Sequence, residues 1–196
     1  MKPLYFTIIF YCIFINTANA QLDKGFWLTG GDASFTTNAP IPNTSTSQIN
    51  STTEIAPIIG YFFFDKFSAG LQTDITIFHQ KKGSGLSGTD DVPNSYLYSF
   101  GPYIRYYLLN KEKMVNFFVE GDYAYEVGVF KGLNVPTNTT KNQKFNFIAG
   151  PEFFFTQSVG LEFTLGYYYE NLIGSKSGDK GFQMGIGFMI HLERDD

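Results

Sequence analysis

The residues with the means to do chemistry are few, and most of them are carboxylates. Arg105 is the one basic residue in the middle of a polar strand face. Glu120, Glu152 and Glu162 fall at comparable distances from the short turns that bound their own segments. The expectation is that these four converge, with Arg105 pairing with Glu120 across the adjacent hairpin and the other acids completing the network. An unpaired charge held away from water is costly, so such a set reads first as structural, and second as a proton or ion relay.

Other chemistries fail on residue supply. A hydrolase would need a Ser, a His and an acid converging at one place. The chain has two histidines. His79 falls at the end of a strand or in the loop after it and His191 near the far end of the last strand, so they are expected at opposite rims as surface or boundary residues. Metal binding fails for the same reason, since the only cysteine, Cys12, lies in an N-terminal apolar run. Gly30-Gly31-Asp32 has no helix after it and is not a phosphate loop. No catalytic, cofactor-binding or metal site is expected, and the chain is read as a non-enzyme. Asn43-Thr44-Ser45, Asn50-Ser51-Thr52 and Asn138-Thr139-Thr140 match the glycosylation triplet by chance in Asn/Thr-rich segments.

The elements that must position the charges are strands. Residues 1–20 are set aside first: Lys2, the apolar run Leu4 to Ile15 and the small-residue site Ala18-Asn19-Ala20 have the parts of a cleaved secretory signal. The run falls short of a membrane span. The mature domain is then 21–196, with 13 basic against 18 acidic residues. With no Lys/Arg cluster, nucleic acid is excluded as a partner.

After Gln21, apolar residues recur with period two, not at helical spacing. Val115 to Val127 puts Val115, Phe117, Val119, Tyr123 and Tyr125 on one face and Asn116, Glu120, Asp122 and Glu126 on the other. Ser158 to Glu170 sets Phe163, Leu165 and Tyr167 against Glu162, Thr164 and Tyr168, and Gly181 to Leu192 sets Phe182, Met184, Ile186 and Phe188 against Gln183, Met189 and His191. The same rhythm marks Phe67 to Phe78, Tyr96 to Leu108 and Phe145 to Phe155. Less regular alternation around Trp27 to Phe35 and Glu54 to Phe63 brings the number of strands to eight.

The connections alternate in length. Asp65-Lys66, Asn110 to Lys113 and Thr156-Gln157 are short, whereas Thr36 to Ile49, His79 to Asn94, Lys131 to Lys144 and Asn171 to Asp179 are long and polar. The reading is all-β: an eight-stranded antiparallel up-and-down transmembrane β-barrel with short periplasmic turns and long external loops. The polar faces, rich in Gly, Ser and Thr, suit a crowded lumen. Tyr96, Tyr98, Tyr106, Tyr123, Tyr125, Tyr167 and Tyr169 lie on the apolar faces, where they would form girdles at the lipid headgroups.

The segments Pro57-Ile58-Ile59-Gly60-Tyr61-Phe62, Gly101-Pro102-Tyr103-Ile104-Arg105-Tyr106-Tyr107 and Gly150-Pro151-Glu152-Phe153 resemble the small outer-membrane barrel proteins of the OmpA/OmpX type, in particular single-domain porin-family barrels of Bacteroidetes-like bacteria. The likeness runs from about Gly25 to Leu192. It departs at the end, where many such barrels finish on an aromatic residue and this chain continues past Phe188 to Asp196. The resemblance implies localisation in the cell outer membrane and an envelope-structural or surface-interaction role. Its implied partners are outer-membrane lipid, the barrel-insertion machinery and an unknown surface ligand held by the long loops. Two alternatives differ in kind. A soluble exported lipocalin-like barrel would turn the face of Phe163, Leu165 and Tyr167 inward around an apolar ligand. A lipid-modifying enzyme would need a rim Ser and His.

Overall fold

The computed structural model describes residues 22–38, 47–83, 89–132, 135–174 and 178–193. Residues 1–20, read as an export signal, lie outside the described residues. Eight antiparallel strands form one closed barrel: β1 (Trp27–Asn38), β2 (Ser47–Phe64), β3 (Phe67–Gly83), β4 (Thr89–Tyr107), β5 (Val115–Gly132), β6 (Val135–Phe154), β7 (Val159–Leu172) and β8 (Gly178–Leu192). Each strand pairs with its neighbours in the chain, and β1 pairs with β8 to close the ring.

The alternating faces fall as the period requires. Phe147, Phe182 and Met184 are 71%, 78% and 86% exposed on the outside, while Arg105, Glu120, Glu152 and Glu162 are buried inside. Soluble folds distribute residues the other way, because burying apolar area is what stabilises them. This barrel is apolar outside and, above its turn end, polar within. Phe163 and Leu165 face outward and Glu162 inward, the reverse of what a lipocalin-like cavity needs.

The apolar band is edged by aromatic rings. On the turn side Trp27 meets Tyr61 edge-on at 5.2 Å. On the loop side Tyr96 stacks on Tyr98, Tyr123 packs on Phe145, and Tyr167 meets Phe182. From Tyr98 to Tyr106 along β4 the rise is about 20 Å after allowing for a tilt near 40°, close to the height of an outer-membrane apolar band.

The long polar stretches differ from their reading as loops. Ladder pairing continues through most of them: β5 and β6 pair out to Gly132 and Val135, and β3 and β4 out to Gly83 and Thr89. Lys131 to Lys144 is therefore mainly hairpin. The reason is that strand pairing needs only backbone partners, and above the apolar band both faces of a hairpin can be polar.

At the other end the turns are tight. Lys66, with φ of 64°, closes the β2–β3 turn in the left-handed region. The segment preceding β1 runs beneath the barrel, where Lys66 N–H donates to the Leu22 carbonyl at 2.7 Å and Gly25 N–H to that of Phe62 at 2.9 Å. Leu22, Leu28, Phe62, Tyr107, Phe118, Phe154 and Met189 pack into an apolar plug inside the turn end.

Closure is uneven around the ring. β1 and β2 pair from Trp27↔Tyr61 to Asn38↔Asn50, but β1 and β8 pair only from Trp27↔Leu192 to Asp32↔Gly187. Above Asp32, β1 pairs with β2 alone and β8 with β7 alone.

Candidate functional site: a buried lumenal charge cluster

Directly above the plug, strands β4 to β7 bring the four expected residues together. Arg105 and Glu120 are register partners on β4 and β5, and Glu152 and Glu162 on β6 and β7. Arg105 Nε donates to Glu120 Oε2 at 2.6 Å, and its Nη1 to Glu162 Oε2 at 2.8 Å. The guanidinium also lies over the Phe118 ring, 4.1 Å from its centroid. One planar cation thus serves two carboxylates and an aromatic face, a task that a point-charged ammonium performs poorly.

Glu152 belongs to a second group. It accepts from the Tyr107 hydroxyl at 2.7 Å and faces His191 Nε2 at 2.9 Å. Arg105 Nη1 reaches the same Tyr107 oxygen at 3.4 Å, so the phenol joins the two groups. Both Glu152 and His191 are fully buried. The expectation of a surface or boundary position for His191 is corrected: its ring sits in the plug, with centroids 5.3 Å from Phe154 and 5.8 Å from Phe62. The inward direction follows from the alternation of β8, but the cover comes from other strands. His79 lies apart, its Nδ1 2.7 Å from Asn94 Oδ1.

Glycines make room for the cluster. A Cβ on Gly160 would come within 2.1 Å of Glu152 Oε1, and one on Gly187 within 2.1 Å of Asp32 Oδ1. These carboxylates can lie flat against the neighbouring strand because no side chain projects from it there.

Above Arg105 a cavity of about 260 Å³ continues toward the loop end, with Asp32, Glu54, Asp74, Asp122 and Glu126 among its walls and Lys144 as the facing cation. Asn146 Nδ2 donates to Asp122 Oδ1 at 2.7 Å. Sequence reasoning assigned no role to Tyr107, His191 or these upper acids. A signal was present in the aromatic runs beside each short turn, Phe62-Phe63-Phe64, Phe117-Phe118 and Phe153-Phe154-Phe155, which break the alternation and must place a ring on each face. Among the described residues no group of three or more His, Cys, Asp or Glu side chains is arranged to hold a metal ion.

No protein-family model matches the chain, and no curated protein matches it. Among solved structures it is similar to neisserial surface protein A, NspA, with 15% identity, a TM-score of 0.52 and cover of 85% of this chain and 97% of that one. It is likewise similar to the N-terminal β-barrel domain of OprF from Pseudomonas aeruginosa, with 14% identity, a TM-score of 0.51 and cover of 86% and 98%.

Proposed function

Starting from a barrel fold shared with neisserial surface protein A and the OprF N-terminal domain, we propose that this chain is a non-enzymatic integral barrel of the outer membrane with an envelope-structural or surface-interaction role. The observation that carries this reading is the continuous outward band of Ile, Leu, Phe and Met between aromatic rings. In water such a band would be an association surface far larger than monomers tolerate. In lipid it is the expected solvent contact, and the ladders between chain neighbours satisfy most of the backbone at band height.

Within this reading, residues 1–20 are a cleaved export signal, the insertion machinery and lipid are the partners of assembly, and the loop end faces outward to meet a surface ligand. The cluster of Arg105, Glu120, Glu152 and Glu162 acts as an internal brace. Plug and brace together block the lumen toward the turn end, so the barrel is not a diffusion pore. Ion conductance that disappears on changing Arg105 would overturn the brace in favour of a relay.

The test of the whole is migration on an SDS gel with and without boiling, together with cell fractionation. A heat-dependent shift in an outer-membrane fraction, with a mature N-terminus at Gln21, is the expected result. A protein that fractionates as soluble and shows no shift would overturn it.

A further inference from the structure

The loss of pairing between β1 and β8 above Asp32 puts a lateral parting in the wall beside the upper cavity. Continuing the register would pair Ala33 with Ile186 and Phe35 with Met184, but no ladder joins them. The same stretch of β1 and β8, including Ala33, Ser34, Gly185 and Ile186, lines the cavity. The cavity therefore reaches the wall at the parting. Its outer lips are apolar: Phe35, Phe182 and Met184 are among the most exposed side chains of the barrel.

Inside, acids predominate. Asp32, Glu54, Asp74, Asp122 and Glu126 outnumber Lys144 in the upper cavity, while Arg105 below is already engaged by Glu120 and Glu162. Asp122 and Glu126 are 7% and 4% exposed, and Asp122 Oδ2 and Glu126 Oε2 have no hydrogen-bond partner. Asp32 Oδ1, at the foot of the parting, has none either. Buried carboxylate oxygens need donors, and a cation supplies both donors and compensating charge.

We propose that the parting admits a cationic single-chain amphiphile, with its ammonium head in the cavity lined by Asp32, Asp122 and Glu126 and its alkyl tail against Phe35, Phe182 and Met184. An ammonium fits better than a metal ion because, among the described residues, these carboxylates form no coordination group. An alkyl tail fits because the opening leads onto the apolar band. This proposal rests on the outer-membrane reading, since the tail requires lipid at the lips.

The experiment uses the full barrel in phosphatidylcholine vesicles and a spin-labelled dodecylammonium probe, with immobilised probe measured by electron spin resonance. The expected result is a saturable immobilised fraction that weakens at least about tenfold in the Asp122→Asn/Glu126→Gln variant. The fraction should persist in Asp65→Asn/Glu112→Gln, which removes equal charge at the turn end. Oxidising an Ala33→Cys/Ile186→Cys pair, which closes the parting, should abolish it, and reduction should restore it. Equal immobilisation of a spin-labelled dodecyl sulfate, or binding indifferent to the lumenal acids or to closure, overturns the proposal alone. A preparation with no heat-dependent gel shift that does not float with vesicles overturns the outer-membrane reading, and this proposal with it.

Discussion

Tyr107 and Glu152 stand 45 positions apart in the chain and 2.7 Å apart in the lumen, where the phenol donates to the carboxylate. That contact joins β4 to β6 across the barrel interior, between strands that share no ladder. Tyr107→Phe keeps the ring in the plug and removes only the donor. It should cost about 1–3 kcal/mol, the penalty for a buried acceptor left short of a partner, read as a lower urea midpoint for unfolding from lipid vesicles.

Arg105→Leu should cost more, about 3–5 kcal/mol, because Glu120 and Glu162 would remain buried without their cation. Changing Glu162 to Leu as well should recover part of the loss. A double variant no better than the single one would show that the carboxylates are not what penalises the loss of Arg105.

Gly160→Ala tests the accommodation of Glu152. The new methyl would overlap the carboxylate, and the nearby rings of Phe154 and His191 leave it little room to move. Overpacking of this kind costs about 1–3 kcal/mol. The check is the same urea titration, with Gly121→Ala as control, since a Cβ there meets nothing closer than 4.0 Å.

The directions of the side chains were legible in the sequence, and the limits of the strands were not. Phe117, Phe147 and Phe182 could be sent outward and Glu120, Asn146 and Gln183 inward from period two alone. Val135 to Lys144 could not be read as strand, because Thr, Asn, Lys and Gln on both faces of a hairpin above the band leave no alternation. The convergence of Arg105 with three carboxylates was an expectation from matched distances to the turns. The burial of His191 was hidden, since its cover is assembled from Phe62, Tyr107 and Phe154 on three other strands.

Leu165→Arg distinguishes lipid from water at the outer surface. Leu165 is 57% exposed, so in a soluble protein the change would fall within about 0.5 kcal/mol. In a bilayer, an arginine in the apolar band should cost about 2–4 kcal/mol. Unfolding measured in vesicles gives the difference directly.

Lys66→Gly should stabilise the barrel by up to about 1 kcal/mol, since a side chain in the left-handed region is under strain that glycine does not feel. The gain would be seen as a higher temperature for loss of the folded gel band.

Seven of the eight strand pairings join neighbours in the chain, and the eighth joins its two ends, from Trp27↔Leu192 to Asp32↔Gly187. Bringing distant segments together carries the largest loop-closure entropy and is the slow class of contact in folding. Here that slowest contact is also the shortest ladder, so its formation is rewarded by the fewest bonds. Assembly of this barrel should therefore proceed through a nearly complete curved sheet that waits, open along one line, for its ends to meet.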